Sequence, residues 1–229
     1  GGIVKPSDIG CYTLGYQSPL NAVDTNYCMG SSIGASSGFS HVIDNKIVCT
    51  IGDSTFFHSG IPPLLNAVYN KADINVVVLD NSTTAMTGFQ PHPGVGTTAT
   101  GQDTKCILIE DVARACGADT VDVVGSLDLD GLVEALEKAV NTSGVSVVVA
   151  RQPCVLLDVR TRSKKGEKIK KYQVDQELCT KCELCLNLFG CPAFRKIDDV
   201  IDVDLALCNG CAVCANILIC PQEAFKEVD

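Results

Sequence analysis

Eight of the 14 cysteines stand in two runs of one spacing. Cys179, Cys182, Cys185 and Cys191 make the first run, closed by Pro192. Cys208, Cys211, Cys214 and Cys220 make the second, closed by Pro221. Each cysteine of the first run meets its counterpart 29 positions on, so two copies of one supersecondary unit are expected. An even count permits disulfides, but tight C-x2-C-x2-C runs suit a metal cluster better. Free thiols in turn point to a reducing compartment, so a cytoplasmic location is expected.

The spacing carries a chemical requirement. A four-iron cubane takes four thiolates, and three must come from one tight loop. The fourth comes from the other half, so the halves staple each other. This assigns one [4Fe-4S] cluster to Cys179, Cys182, Cys185 and Cys220. A second takes Cys208, Cys211, Cys214 and Cys191. Structural zinc is the alternative, but it commonly uses two C-x2-C pairs and a spacer. The pattern resembles the bacterial two-[4Fe-4S] ferredoxins. It departs from them in placing five residues, rather than three, between the third and fourth cysteine of each run. A domain this small buries little core, so its folding is expected to couple to cluster binding.

Charge divides the chain at the same place. Residues 1–157 carry a net charge of −8, residues 158–172 (DVRTRSKKGEKIKKY) +5, and residues 173–229 −6. The middle segment has no apolar period and reads as an exposed basic linker, or as a docking strip for an acidic electron carrier. The overall charge of −9 and the absence of Trp argue against a nucleic-acid partner. No apolar run approaches the roughly 18 residues of a membrane span, and no membrane association is expected. No signal peptide is expected at the start. An opening of Gly1-Gly2-Ile3-Val4, without Met, leads us to expect a piece of a longer protein.

The first 157 residues read as α/β, a parallel sheet covered by helices. Short apolar runs at 47–51, 75–79, 121–124 and 145–149 alternate with helical patterns at about 60–72, 107–117 and 129–141. In the last helix Leu129, Leu132, Val133, Leu136 and Val140 mark the apolar face. Ligands of such sheets sit at the carboxyl ends of strands. Asp53 and Asn81 fall at two such ends, 28 positions apart. Hard oxygen donors there suit Mg²⁺ with a diphosphate, although an Asp at a strand end is often only a helix cap. Ser59-Gly60-Ile61-Pro62 reads as a helix start whose free amides favour a phosphate. The small residues of 28–39 allow either a ligand or a partner helix to approach closely.

Gly52-Asp53-Ser54 followed by Asn81 looks like the thiamine diphosphate motif. The stretches DIGCYTLG (8–15), DTNYCMGSSIGASSGF (24–39) and GDSTFFHSGIPPLLNAVYNKADINVVVLDNSTTAMTGFQPHPG (52–94) closely resemble the large, thiamine-binding subunit of indolepyruvate:ferredoxin oxidoreductases. In that family a two-cluster ferredoxin domain follows, as the cysteine runs do here. The resemblance implies Mg²⁺ on Asp53, Asn81 and the Thr83 carbonyl. It places Gly52, Ser54, Thr87 and Gly88 along the diphosphate, Met29 and Gly30 near the aminopyrimidine, and Cys11 on the active cavity. Ser54 stands where the general thiamine pattern has Gly. His58 and His92 are candidate catalytic groups, His41 a structural one. Cys49, Cys106, Cys116 and Cys154 are expected to be small buried hydrophobes.

The resemblance also implies an activity: oxidative decarboxylation of an aryl 2-oxo acid to acyl-CoA and CO2, with electrons leaving one at a time through the clusters to ferredoxin. It implies coenzyme A as acyl acceptor, a smaller partner subunit and a hetero-oligomer. The pyrimidine-binding domain, with the Glu that activates the cofactor, is expected upstream of residue 1. The fragment is expected to be inactive alone. The same chemistry on pyruvate, 2-oxoglutarate or a branched oxo acid is an alternative. So is an electron-transfer module on a non-catalytic scaffold.

Overall fold

The computed structural model describes residues 2–228. The chain divides into two compact units, one holding residues up to Leu14 together with Ala22–Cys154, the other Gly15–Asn21 and the chain from Val155 on.

The first unit is built on a wholly parallel sheet. Its strands are β1 (Ile3–Val4), β2 (Pro6–Ser7), β3 (Thr25–Asn26), β4 (Lys46–Gly52), β5 (Ile74–Asp80), β6 (Thr120–Gly125) and β7 (Val145–Arg151). They run in the order β3-β2-β4-β5-β7-β6, and β1 also pairs with β4. The interior strands β5 (INVVVLD) and β7 (VSVVVAR) are β-branched and buried on both faces, as a parallel strand covered twice requires. β4, also interior, alternates buried and half-exposed residues. Ile33, Ile51, Phe56, Leu64, Val76 and Val147 sit at the heart of the core, each 0% exposed.

The helices are α1 (Ser31–Ser40), α2 (Asp53–Thr55), α3 (Ile61–Tyr69), α4 (Ile109–Ala115) and α5 (Leu129–Asn141). The small residues of α1 serve helix packing: Gly34 faces Pro63 of α3. Asp128 caps α5, accepting the Gly131 N–H at 3.1 Å. The buried face of α5 differs from the expected one. Ala135 and Ala139 are buried with Leu132 and Leu136 beside them, while Val133 is 46% exposed. The alanines let the helix approach the sheet more closely than a leucine row would.

The expected helix start at Ser59 is also corrected. The helical run begins at Asp53, passes through a π-turn over Phe56–Gly60 and continues as α3. Pro62 and Pro63 lack the N–H groups an α-helix would use there, and the backbone widens just upstream of them. The free first-turn amides therefore lie at the end of β4, not at Ser59.

The second unit contains α6 (Val155–Lys164), α7 (Leu184–Leu188) and four strands, β8 (Lys171–Val174), β9 (Phe194–Ile197), β10 (Val200–Val203) and β11 (Phe225–Val228). β9 and β10 form one antiparallel pair, β8 and β11 another. The segment read as a linker is helical over 155–164. Arg162 pairs there with Asp158 one turn away and with Glu167, and no residue of α6 is buried. The two cysteine halves repeat each other in detail. Asp175 and Asp204 each accept a turn amide, from Glu177 and Ala206, at 2.9 Å. Their own N–H groups each donate 2.7 Å across to the other half, to Ala224 and Ala193. Phe194 and Phe225, counterparts in the repeat, stack at 4.9 Å. Left-handed residues repeat too, Lys181 with Gly210 and Glu183 with Ala212.

Two predictions follow from these contacts. Arg151, at the end of β7, binds Asp80 at 2.6 Å and grips both oxygens of Glu110. Arg151→Met should cost about 2–3 kcal/mol in urea unfolding, the worth of hydrogen bonds to charged groups plus two stranded carboxylates. The Arg151 hydrogen bonds hold the Glu110 carboxyl below its ordinary 4.5. That stabilisation is whole above 4.5 and is lost as pH falls through the lowered value, so the Arg151→Met penalty should shrink on acid titration. Ala212 sits at φ 65°, a left-handed conformation that costs any residue with a Cβ. Ala212→Gly should therefore be neutral or stabilise by up to about 1 kcal/mol, read as a shifted thermal midpoint.

Candidate cofactor cleft and cysteine cavities

A cleft of about 230 Å³ opens at the carboxyl ends of β4, β5 and β7. β4 and β5 are adjacent and in register, Gly52 opposite Leu79, so Asp53 and Asn81 emerge side by side. Asp53 is 3% exposed and its carboxylate organises the site. Oδ1 accepts the Ser54 N–H at 2.7 Å. Oδ2 accepts the N–H groups of Asn81 at 3.0 Å and Thr83 at 3.3 Å. Asn81 Oδ1 takes a share of the same Thr83 N–H at 3.2 Å. The loop after β5 is thereby folded over the end of β4.

Of the residues expected at a thiamine site, Cys11, Met29, Gly52, Asp53, Ser54, Asn81, Thr83 and Thr87 line the cleft. Gly30 and Gly88 stand beside lining residues rather than among them, both at positive φ. At Gly30, which precedes α1, a Cβ would collide with the Ser59 side chain. The two histidines are separated from the lining. His58 is exposed, its Nδ1 2.8 Å from Ser59 Oγ. His92 is buried behind Asp53, with Nε2 3.1 Å from Oδ2. Gly94 donates its N–H to His92 Nδ1 at 3.1 Å, which leaves the ring proton of the neutral form on Nε2, facing the carboxylate. Among the scattered cysteines, Cys49 and Cys116 are buried, and burial pushes the Cys49 thiol up to about 12. Cys106 is not a buried hydrophobe: it is exposed and donates its S–H to the Gly94 carbonyl. Cys154 is half-buried.

Sequence reasoning on spacing alone missed Tyr12, Asp8 and Thr84. The Tyr12 hydroxyl accepts the Gly52 N–H at 2.8 Å, and burial raises its ionisation well above the ordinary range. Asp8 is fully buried and accepts the Ser32 N–H at 2.9 Å, capping α1. Burial pushes its carboxyl up against that hydrogen bond. Thr84 donates to Ser54 Oγ at 2.9 Å. The only signal for the first two was their place in the stretch DIGCYTLG.

The donor set fits a magnesium diphosphate. It offers a buried carboxylate, a side-chain amide, two hydroxyls and the helical first turn after Gly52, together in one cleft. Among the described residues no three His, Cys, Asp or Glu side chains converge on a single ion.

In the second unit the cysteines gather in the crossed sets. Cys179, Cys182, Cys185 and Cys220 line one cavity. Cys191, Cys208, Cys211 and Cys214 line another. Left-handed residues on either side of Cys182 and of Cys211 turn successive amides inward, the backbone concavity that favours an anionic cluster. Burial raises the thiols of Cys185 and Cys191, and that of Cys214 to about 12, with neighbouring sulfurs adding to it. Four thiolates so placed need cations among them.

The chain was compared with known proteins. Residues 8–150 match the family model of the thiamine pyrophosphate enzyme, C-terminal TPP binding domain. The chain is 54% identical over 193 residues to indolepyruvate oxidoreductase subunit IorA of Archaeoglobus fulgidus, covering 84% of this chain and 31% of that protein. It is 48% identical over 204 residues to the subunit of the same name from Pyrococcus horikoshii, covering 83% and 31%. The chain thus spans about a third of the length of the curated relatives it matches. Among solved structures, 2-oxoglutarate:ferredoxin oxidoreductase from Magnetococcus marinus shares the fold at a TM-score of 0.59 and 17% identity, over 67% of this chain and 54% of that one. A putative thiamin diphosphate-dependent enzyme from Mycobacterium smegmatis gives 0.51 and 20%, over 66% and 29%. Among the described residues no helix is long and apolar enough to cross a membrane. The chain belongs to the thiamine pyrophosphate enzyme family, and residues 8–150 are its C-terminal TPP binding domain.

Proposed function

We propose that this chain is the diphosphate-binding and electron-relay portion of an indolepyruvate-type 2-oxo acid:ferredoxin oxidoreductase. The observation that carries the reading is the convergence of Asp53, Asn81 and Thr83 on one cleft at two adjacent strand ends. The names of the relatives, at 44–54% identity, favour indolepyruvate and related aryl 2-oxo acids. Thiamine diphosphate, when bound, supplies a carbanion for attack on the keto carbon and a sink for the electrons left by decarboxylation. The protein's part is placement. Asp53, Asn81 and the Thr83 carbonyl would hold Mg²⁺, with Gly52, Ser54 and Thr87 beside the diphosphate. His92 lies behind the Asp53 carboxylate, Nε2 3.1 Å from Oδ2, and outside the lining of the cleft, so we assign it a positioning role. His58 is given no catalytic role.

The two cysteine sets would each hold a [4Fe-4S] cluster and pass electrons singly to an external ferredoxin, with coenzyme A taking the acyl group. We assign the thiamine diphosphate-binding domain to 1–157, the basic segment to 158–172 and the two-cluster domain to 173–229. Activity requires the upstream pyrimidine-binding domain and the smaller subunit, in a hetero-oligomer.

The test is anaerobic viologen reduction by the complete two-subunit enzyme with coenzyme A. Reduction with indolepyruvate and phenylpyruvate, but not with pyruvate or 2-oxoglutarate, is expected. Reduction by another acid would keep the mechanism and change the substrate. No reduction by any acid, in protein holding about eight irons, would leave an electron carrier only. Asp53→Ala in the complete subunit should abolish Mg²⁺-dependent quenching by thiamine diphosphate. Cys182→Ala should remove one cluster of the two, seen as about half the iron.

A further inference from the structure

The repeat that relates the two cysteine halves also exposes where they differ. β8 and β10 are counterparts, so Lys171 corresponds to Val200 and Tyr172 to Ile201. Lys171 Nζ donates to the carbonyls of Leu205 at 2.7 Å and Cys208 at 2.8 Å. It is thereby fixed against the loop that carries the second cysteine run. Among the described residues no carboxylate lies within ion-pair distance of it, so its charge is not answered locally. Its counterpart Val200, at the start of the second half, carries no charge at all. The lining differs in the same sense. Tyr172 and Gly190 face the second cavity where Ile201 and Ile219 face the first. The second cavity is also the larger, about 220 Å³ against about 20 Å³. Glu183, on the wall of the first cavity, is a carboxylate where the second has Ala212, although Lys196 pairs with it at 2.6 Å.

Net charge, hydrogen bonding and exposure to solvent set the potential of an iron-sulfur cluster. A fixed cation stabilises the reduced state, which carries one more negative charge. Burial among apolar groups does the reverse. The fixed charge of Lys171 beside the second run and the Ile201 and Ile219 lining of the first cavity point the same way. We propose that the two cavities form an unequal pair, in which the site at Cys191, Cys208, Cys211 and Cys214 holds an electron more tightly than the site at Cys179, Cys182, Cys185 and Cys220, with Lys171 as the main cause. The inference rests on the two-cluster reading above. The step it describes is the transfer of one electron: the first cluster is oxidised by one, the second is reduced by one, and no bond forms or proton moves.

Redox titration of the complete subunit, followed by electron paramagnetic resonance, tests this. Two midpoint potentials are expected. Lys171→Gln, which keeps a donor and removes the charge, should lower only the higher one. The reduced-to-oxidised ratio of that cluster should fall about tenfold at fixed potential, about 59 mV for one electron. Val200→Lys should raise only the lower one. About eight irons per chain with no shift in Lys171→Gln, or equal shifts of both clusters, would overturn the inference and leave the two-cluster reading intact. If Lys171→Gln loses the second cluster, Val200→Lys decides alone, and an unmoved lower potential overturns the inference. A subunit that binds no iron would overturn the two-cluster reading and this inference with it.

Discussion

Two parallel strands that end side by side leave their last amides pointing into space, and the loops beyond them have no ladder to follow. In the first unit one carboxylate resolves this. Asp53, at the end of β4, gathers the N–H groups of Ser54, Asn81 and Thr83, two of them from the loop after the neighbouring strand. A buried carboxylate is costly unless it is this well satisfied. Once satisfied, it fixes the loop 81–84, and through Thr84 it also fixes the Ser54 hydroxyl. The cleft inherits its shape from that one group. His92 closes the far side, and its own orientation is set by a backbone amide, so the chain of constraint runs from Gly94 to the cleft wall.

The second unit depends on a different device. Neither cysteine half has a core worth the name, and the buried apolar groups are few: Ala193, Ile201, Val203, Val213, Ile219, Ala224 and Phe225 among them. What binds the halves is reciprocal exchange. Each lends the other a cysteine, an alanine carbonyl and a phenylalanine ring. The symmetry is close enough to identify counterparts residue by residue, and that is what makes the asymmetry at Lys171 visible.

How much of this was legible beforehand differs from element to element. The four long strands were, because runs such as Val76-Val77-Val78 have no other home than a covered parallel sheet. The crossed cysteine sets were also legible, because three thiols in a tight loop leave a tetrahedral cluster one short. The neighbouring positions of Asp53 and Asn81 followed from their strands. The face of α5 was misread, since small alanines carry little weight in an apolar period although they allow the closest packing. The helix start was misread because Pro62-Pro63 signals a first turn, and a π-turn that absorbs two prolines leaves no mark in the pattern. The segment 158–164 reads as linker by charge, yet it is helical, with the Asp158–Arg162 pair along it and nothing buried. Asp8 and Tyr12 could not be found by spacing, because both act on residues more than 20 positions away.

The exchange between the cysteine halves means that neither half is a smaller version of the whole. A single half holds three thiols of one set and the fourth of the other, and alone its aspartate amide and its aromatic ring face nothing. Because both halves lie in one chain, each carries its own sequence, and one has Lys171 where the other has Val200. Covalent linkage thus lets a nearly symmetric pair carry an asymmetric charge.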